Sequence, residues 1–525
     1  MLKLSPRHLP LIYLTSLSLA GMGLLWLLTS RYGAGVAGDS IHYLSVAQSL
    51  LNGHGFFDFS GGPLILFPPL YPLLLAGLAW LFRADVFTAA GLFNILLWGL
   101  NIFLSGLLLR RIFPLSPATF YLGAFFIFCS SSGLAMHASV LSDPLYLTFT
   151  LLFFLAGEDY LCQPDWGAFA ALLCLAALSA LLRFSGLSQV VGGALIVLLA
   201  HRQKLIKGLP LAAVFGALSL LPVALWIYLH NWLPYHTWWG TDNAAGANVP
   251  VNLLEALLKI SYWFIPYRPI LGSDYIQPLL ELGAGLVLLL VINRLADWRA
   301  WAVELLRPVW LCLLVFTVVY FSSSILNIQT ADHKVLFADR YFVIIMLPVL
   351  SLIFITFDKL LLPHLRLAPR VLKPALLLLF TLWLLYPLSK DYKYLRSSLT
   401  DGESGYNQYN TRFYHESVVL ARAAALMAKE PDAWYYSNIP PAVWFYTRRA
   451  VQFPPVQDGA RTRDEVKTYL AGWPNQKPGY YIWFEPDPFG LFMPLKDLFL
   501  SADMEMVEQM PDGSIVRVWE RGTAK

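Results

Sequence analysis

Two acidic residues occupy positions where a carboxylate could do chemistry. Asp39 stands in the run GDSIHY, and Asp143 precedes a proline in the run SVLSDPLY. A carboxylate can take the proton of a hydroxyl group and so make its oxygen a nucleophile. Both positions also suit helix N-caps, so a purely structural role stays open for each acid. If the two helix ends meet, they predict one acidic site.

Basic residues that could bind a phosphate group lie beside later apolar segments. Arg183 ends one segment, Arg340 and Tyr341 begin another in the run ADRYF, and Lys334 lies just before it. The planar guanidinium group donates two hydrogen bonds at once, which suits phosphate oxygens. Arginine at a membrane surface also extends to lipid headgroups, and this alternative stays open. The set predicts a site for the phosphate of an anionic lipid.

The composition shows which elements must position these residues. The chain has 525 residues, of which 57% are hydrophobic and 13% charged. Residues 1–389 contain 21 Lys/Arg and 16 Asp/Glu, whereas residues 390–525 contain 16 and 17. This division predicts an all-α polytopic membrane domain over 1–389 and an aqueous α/β domain over 390–525. The net charge of +4 is too small and too dispersed to indicate a nucleic-acid partner, and none is predicted.

Apolar segments and the basic loops between them predict eleven transmembrane helices. The first, Leu9–Leu28, is longer than the apolar core of a secretory signal and is interpreted as a retained anchor. The segment Leu64–Phe82 is broken by prolines and is predicted to lie in the interface or to re-enter. The other predicted spans are 86–109, 117–134, 144–160, 166–183, 187–200, 209–229, 277–293, 308–326, 341–357 and 374–389.

The distribution of basic loops predicts the orientation. With Leu64–Phe82 outside the count, the Lys/Arg-rich loops all face the cytoplasm, as the positive-inside rule requires. The N-terminus is then cytoplasmic and the C-terminal domain extracytoplasmic, in the inner (plasma) membrane. The long first outer loop, Tyr32–Asp85, carries Asp39 and lies on the outer side.

Several motifs resemble those of a known family. The run GDSIHY through NGHGF, followed by PPLYP, resembles the first periplasmic loop of the GT-C glycosyltransferases. Within that class, the chain is most similar to the bacterial branch near protein O-mannosyltransferases and lipid A aminoarabinose transferases. The run LSDPL resembles that branch's acidic-proline motif, and DRY its entry to a late span. The resemblance covers about residues 1–360.

The resemblance implies an inverting transfer of a sugar from a polyprenyl-phosphate-linked donor. The acceptor would be a lipid, glycan or protein at the outer face of the membrane. Asp39 takes the position of the family's general base and Asp143 that of its second acid. Arg340 takes the phosphate-contacting position, with Arg183, Lys334 and Tyr341 as further candidates for the donor phosphate.

The first loop departs from the family pattern. The mannosyltransferases have an adjacent Asp-Glu pair, whereas Ser40 follows Asp39 here. Asp58 is the other acid that could supply a second carboxylate, and His42, Tyr43 and His54 are candidates to support the loop. No cofactor is assigned. A divalent cation such as Mg²⁺ or Mn²⁺ stays open, and its candidate ligands are Asp39 and Asp143.

The C-terminal domain predicts a small α/β fold. Ala433–Ser437 and Gly479–Phe484 are typical of buried strands, Ser417–Lys429 of an amphipathic helix, and Met504–Gln509 with Ser514–Glu520 of a hairpin. Two other functions stay open for the whole chain. One is a polyprenyl-lipid or glycan transporter or flippase, and the other is a non-enzymatic membrane-anchored binding protein.

Overall fold

The computed structural model describes residues 8–114, 116–238, 249–264, 283, 298–327, 338–358, 369–454, 479–487, 493–499 and 503–519. The chain divides into two compact units. The membrane unit comprises Met1–Ser30, Ile65–Tyr71 and Gly91–Arg396, and the α/β unit comprises Arg31–Leu64, Pro72–Ala90 and Ser397–Lys525. Residues 31–64, which carry Asp39, therefore cluster with the C-terminal residues. The predicted division at residue 390 had placed them with the membrane domain.

Helices make up most of the described residues. In chain order they are α1 (Leu9–Thr29), α2 (Gly38–Leu51), α3 (Leu70–Phe82), α4 (Val86–Ile112), α5 (Pro117–Phe128), α6 (Ser131–His137), α7 (Asp143–Cys162), α8 (Trp166–Leu182), α9 (Leu187–Ala200), α10 (Leu205–Trp226), α11 (Val249–Ser261), α12 (Trp298–Leu305), α13 (Pro308–Asn327), α14 (Arg340–Val343), α15 (Met346–Thr356), α16 (Pro369–Asp401), α17 (Arg412–His415), α18 (Val418–Lys429), α19 (Pro440–Thr447) and α20 (Leu495–Phe499).

Among the described residues, five helices are long and apolar enough to cross a membrane, or six if the bent pair α5 and α6 is one span. Shorter apolar helices, among them α8, α9 and α15, accompany them. The protein is therefore a multi-pass membrane protein, while the count of eleven spans stays a prediction. The predicted span 277–293 lies outside the described residues except for residue 283. Helix α3 has 13 residues, about 20 Å, which is shorter than the hydrocarbon core.

Two segments predicted as continuous spans are interrupted in the structure. The predicted span 117–134 is divided into α5 and α6, which are bent by 47°. Ser130 lies at the break, where its hydroxyl oxygen accepts a hydrogen bond from the Gly133 amide at 3.1 Å. This side chain caps a new helix start and so competes with continuation of α5. The predicted span 341–357 is likewise divided between α14 and α15.

Polar side chains connect helices within the apolar core of the membrane unit. Gln189 of α9 accepts a hydrogen bond from Ser179 of α8 at 2.8 Å and donates one to Thr150 of α7 at 3.0 Å. Phe153 of α7 and Phe316 of α13 pack with ring centroids 6.2 Å apart. Buried amides and hydroxyls need such partners, so these hydrogen bonds specify how α7, α8 and α9 pack together, and the ring contact joins α13 to α7.

The α/β unit contains one four-stranded sheet. The strands are β1 (Trp434–Ser437), β2 (Gly479–Phe484), β3 (Asp503–Met510) and β4 (Gly513–Trp519), in the order β1-β2-β4-β3. β1 and β2 are parallel, and the other two pairs are antiparallel. Helix α18 begins after Ser417, whose side chain accepts a hydrogen bond from the Leu420 amide. The predicted strands, helix and hairpin are confirmed.

Candidate functional site

Asp143 is buried at the start of α7 in the membrane unit. The N-cap is Ser142, so Asp143 lies in the first helical turn and the predicted capping position is wrong by one residue. Its Oδ2 atom is 2.5 Å from Nη1 of Arg183. The same nitrogen donates a hydrogen bond to the Ser142 hydroxyl at 3.0 Å. A carboxylate that is 1% exposed needs such a cation, because an isolated buried charge is costly.

Arg340, at the start of α14, approaches the same carboxylate from another part of the sequence. Its Nη1 atom is 3.9 Å from Asp143 Oδ2, and its Nη2 atom donates to the Tyr341 hydroxyl at 3.2 Å. The Tyr341 carbonyl accepts a hydrogen bond from the Tyr320 hydroxyl of α13 at 2.8 Å. Arg340 is buried, with 7% of its surface exposed. Its guanidinium is therefore held within the protein and does not simply extend to lipid headgroups.

The corner between α8 and α9 positions Arg183. Arg183 is the C-cap of α8 in an extended conformation, and a short 3₁₀ turn, Phe184–Gly186, follows it. The Tyr146 hydroxyl of α7 donates to the Ser185 carbonyl at 3.1 Å, which connects this turn to the helix that carries Asp143. The helix of Asp143 and the turn after Arg183 are thus joined by this hydrogen bond as well as by the ion pair.

A buried polar network supports the first turn of α7. Asn101 of α4 donates to the Pro144 carbonyl at 2.9 Å and accepts from the Thr148 hydroxyl at 2.7 Å. The Nε2 atom of His137 lies 2.9 Å from the Asn101 side-chain nitrogen. Because Pro144 directly follows Asp143, this network restrains the backbone that carries the carboxylate.

Further polar groups surround this cluster. Ser132 donates to Asp339, the residue before Arg340, at 2.7 Å. Asp391 is buried and accepts a hydrogen bond from Ser131, and burial raises the pKa of its carboxyl group to about 7. Position 391 lies just after the last predicted span. Asp391, Ser131 and Ser132 were not predicted from the sequence, although three consecutive serines between two apolar runs were a usable signal.

The guanidinium groups of Arg183 and Arg340 therefore converge on the carboxylate of Asp143. Arg183 and Arg340 are far apart in the sequence, and contacts with Asp143, Ser142 and Tyr341 orient their guanidinium groups. Guanidinium groups in this arrangement can bind a phosphate group and stabilise negative charge that develops on it. Of the predicted phosphate-binding residues, the structure brings Arg183, Arg340 and Tyr341 together with Asp143. Lys334 lies outside the described residues.

Asp39 lies in the α/β unit, in the first turn of α2. The N-cap is Ala37, so the prediction that Asp39 caps the helix is wrong. A carboxylate in this turn is stabilised by the partial positive charge of the helix N-terminus. Within residues 39–47, Asp39 and His42 are partly exposed and the others are buried. These two residues are three apart, so they share one face of the helix.

His42 forms a hydrogen bond with Asp58 of the same loop. The His42 Nδ1 atom is 3.1 Å from Asp58 Oδ2. The other oxygen, Oδ1, accepts hydrogen bonds from the Ser60 amide at 2.9 Å and the Ser60 hydroxyl at 2.7 Å. Burial raises the pKa of Asp58, but the hydrogen bonds from His42 and Ser60 lower it more, so the net shift is downward. Asp58 thereby orients the imidazole ring of His42, which lies one helical turn after Asp39.

The other predicted support residues have different surroundings. Tyr43 is buried within the α/β unit. His54 is exposed beyond the C-terminal end of α2, about 20 Å along the helix from its start. Its placement therefore differs from that of His42, which shares the helix face of Asp39.

An amide-rich segment that the sequence analysis missed holds the start of α2. Asn407 accepts a hydrogen bond from the Val36 amide at 2.8 Å, and Gln408 accepts one from the Gly38 amide at 3.2 Å. The amides of Gln408 and Tyr409 both donate to the Val36 carbonyl. The run NQYN after a long helix was the available signal. These contacts fix the backbone that presents Asp39.

The described residues offer a poor fit to a divalent cation. They contain no group of three or more His, Cys, Asp or Glu side chains that could hold a metal ion. The Asp143 carboxylate is also already compensated by Arg183 at 2.5 Å. No step of the proposed chemistry is therefore assigned to a metal.

Comparisons with known proteins identify the fold. No protein-family model matches the sequence, and no curated protein matches it. Two crystal structures of ArnT from Cupriavidus metallidurans are similar. One is bound to undecaprenyl phosphate (TM-score 0.58, 14% identity) and one is in the apo state (TM-score 0.57, 15% identity). In both cases the match covers 96% of this chain and 97% of ArnT.

This likeness shows that the chain has the fold of the GT-C glycosyltransferases, as the sequence resemblance implied. It does not distinguish one branch of that class from another. An oligosaccharyltransferase from Archaeoglobus fulgidus is less similar, with a TM-score of 0.48, 13% identity, and a match that covers 85% of this chain and 64% of that protein.

Proposed function

We propose that this protein is an integral-membrane glycosyltransferase that uses a polyprenyl-phosphate-linked sugar. The acceptor would be a lipid, a glycan or a protein at the outer face of the membrane. The observation that carries the proposal is the convergence of Arg183 and Arg340 on Asp143, in a chain with the fold of a protein crystallised with undecaprenyl phosphate.

The arginine pair suits the phosphate of the donor. In the reaction, the bond between the sugar's anomeric carbon and the phosphate oxygen breaks, and the polyprenyl phosphate leaves with an additional negative charge. Arg183 and Arg340 would stabilise this charge through fixed guanidinium donors. Asp143 would hold both arginines in place, because a single carboxylate orients the two groups.

Asp39 suits the role of general base. Its carboxylate would take the proton of the acceptor hydroxyl as that oxygen bonds to the anomeric carbon, with inversion at this carbon. The partly exposed position of Asp39 allows an acceptor to reach it, and its place in the first turn of α2 puts the carboxylate near the partial positive charge of the helix N-terminus. His42, held by Asp58, lies on the same helix face and would shape the surroundings of the base.

The arrangement of charged residues favours an enzyme over a transporter. In the described helices that could cross the membrane, Asp, Glu, Lys and Arg lie near the helix ends. A transporter of a charged lipid is expected to place ionisable groups along its path through the membrane. A binding protein without chemistry would leave Asp39, the partly exposed acid of α2, without a role.

Binding of undecaprenyl phosphate tests the phosphate site directly. The purified full chain in detergent is expected to bind this lipid, and Arg340→Gln is expected to weaken binding about tenfold or more. Arg340→Lys keeps the positive charge but lacks the two parallel donors of a guanidinium group, so its loss of lipid affinity should be intermediate. Arg111→Gln is the control, because Arg111 pairs with Glu158 and Asp159 at the other end of α7. Equal binding by all four proteins would disprove the phosphate site.

Sugar transfer tests the base. Synthetic undecaprenyl-phosphate hexoses and pentoses, labelled in the sugar, are incubated with the protein and with native membranes as the source of acceptor. Asp39→Asn is expected to lower turnover at least a hundredfold while undecaprenyl phosphate binding is kept. Asp432→Asn, an exposed acid of the α/β unit, is the control. Undiminished turnover by a folded Asp39→Asn variant would remove Asp39 from the mechanism.

A further inference from the structure

An open cleft of about 420 Å³ lies at the end of the membrane unit opposite Asp143. Its walls come from the last turns of α7 and α9, the turn after α9, and the first turn of α13. Helix α7 has 20 residues and begins at Asp143, so the cleft lies about 30 Å away from that carboxylate. This distance matches the hydrocarbon thickness, which places the cleft at the other surface of the membrane.

The cleft has apolar walls and a basic rim. Leu161, Leu199 and Leu311 contribute to the walls, whereas Arg202 and Lys204 line the rim. The rim is a tight turn in which the Lys204 amide donates to the His201 carbonyl at 2.8 Å. Apolar side chains beside the cleft face outward, and Ile206 is 91% exposed. Such exposure is expected for a surface in contact with acyl chains, so the rim lies at headgroup depth.

The cations of the rim, Arg202 and Lys204, differ from neighbouring arginines in whether they form ion pairs with carboxylates. Arg111 forms ion pairs with Glu158 and Asp159, and Arg307 forms one with Glu304. For Arg202 and Lys204, by contrast, no ion pair with a carboxylate is found within the part of the chain that the structure describes. Glu158, Asp159 and Glu304, acids of this end of the membrane unit that the structure describes, pair with these other arginines and do not compensate the cations of the rim.

We propose that this cleft binds the phosphodiester headgroup of an anionic glycerophospholipid. Arg202 and Lys204 would bind the phosphate oxygens, and the leucine walls would contact the upper parts of the acyl chains. The volume lies within the range of small-molecule sites. A soluble anion would use the basic rim but would gain nothing from the apolar walls, so a membrane lipid fits the whole cleft. This site does not depend on the proposed transfer reaction.

Native mass spectrometry of the purified full chain in detergent tests the site. The probes are dioleoylphosphatidylglycerol, dioleoylphosphatidylcholine and inorganic phosphate. The test protein carries Arg202→Gln with Lys204→Gln, and the control carries Arg422→Gln with Lys429→Gln. The control removes two positive charges from helix α18 of the α/β unit. A third protein, Arg202→Lys with Lys204→Arg, keeps the charge of the rim, and thermal unfolding of each variant verifies the fold.

The wild type and the control are expected to retain phosphatidylglycerol in preference to phosphatidylcholine. The test protein should bind phosphatidylglycerol about tenfold more weakly and phosphatidylcholine unchanged, because each basic residue near an anionic lipid contributes on the order of a tenfold factor or less. The charge-preserving variant should bind like the wild type. Equal retention of phosphatidylglycerol by the test protein would overturn the proposal. Its full displacement by equimolar inorganic phosphate would equally overturn it, in favour of a soluble anion.

Discussion

Asp143 is a buried carboxylate whose environment depends on two arginines. Arg183 is 2.5 Å from it and Arg340 is 3.9 Å from it, and both side chains are largely buried. Removing one partner of a buried ion pair leaves a charge without compensation and costs several kcal/mol, roughly 3–5. These residues therefore serve the fold as well as the proposed phosphate site. Substitutions that keep the charge separate the two roles better than truncations do.

The pair formed by His42 and Asp58 has a pH-dependent effect on stability. The pKa of Asp58 is lowered in the folded protein, so its carboxylate stabilises the fold at neutral pH. This contribution is fully present above the ordinary carboxyl value, about pH 4, and is lost as the pH falls through the lower folded value.

Asp58→Asn is therefore expected to destabilise the protein by about 1–2 kcal/mol at pH 7, because the charged acceptor of His42 and Ser60 is replaced by a neutral one. The difference from the wild type should shrink as the pH is lowered below about 4. Thermal unfolding followed by tryptophan fluorescence at pH 7 and at the lowest pH that the detergent tolerates measures this. A difference of the same size at both pH values would show that the charge of Asp58 does not matter.

At the scale of elements, the corner between α8 and α9 is closely packed. Gly186 has a φ of −62°, which any residue adopts, so backbone freedom is not the reason for a glycine here. A Cβ atom at this position would instead collide with the backbone of Ser179 and Ala180. Because backbone atoms of a helix cannot move aside easily, the corner that positions Arg183 requires a residue without a side chain.

Gly186→Ala is accordingly expected to destabilise the protein by about 1–3 kcal/mol, as overpacking does. It should also weaken undecaprenyl phosphate binding, because Arg183 lies one turn before the altered residue. Gly216→Ala in α10 is the matched control, since a Cβ atom there would meet nothing within 4 Å. Both variants are compared by thermal unfolding and by the lipid-binding assay. An unfolding temperature for Gly186→Ala equal to that of the control would contradict the packing argument.

At the scale of the whole molecule, the uneven charge composition corresponds to two kinds of unit. The membrane unit is made of apolar helices, and the C-terminal residues form a sheet with helices and a higher charge content. The basic loops predict that the N-terminus is cytoplasmic and the C-terminal residues extracytoplasmic. This orientation requires an odd number of membrane spans, and the predicted number, eleven, is odd.

Ala450→Cys and Gln203→Cys test the orientation in a background without the four native cysteines. Both positions are exposed. A membrane-impermeant maleimide added to intact spheroplasts should label Ala450→Cys, and Gln203→Cys should react after permeabilisation. Labelling is read from the mass of the purified protein. The reverse pattern would invert the topology and move the proposed reaction to the cytoplasmic face.

The sequence by itself determined the class of protein and the strands of the α/β unit, and it indicated most of the candidate residues, whose roles stay predictions. These features follow from local composition, from alternation of apolar residues and from short motifs, all of which act over a few neighbouring residues. The ends of the helices were predicted less accurately from the sequence. Ala37 rather than Asp39 caps α2, and Ser130 interrupts a segment that is apolar enough to continue.

Only the tertiary structure decided which residues meet. Asp143, Arg183 and Arg340 converge because α7, the end of α8 and the start of α14 pack together, and helix packing depends on side chains distant in sequence. The association of residues 31–64 with the C-terminal residues rests on hydrogen bonds that the side chains of Asn407 and Gln408 accept from the Val36 and Gly38 amides, and these partners lie about 370 residues away in the sequence. The cleft of Arg202 and Lys204 arises in the same way, since its walls come from three helix ends.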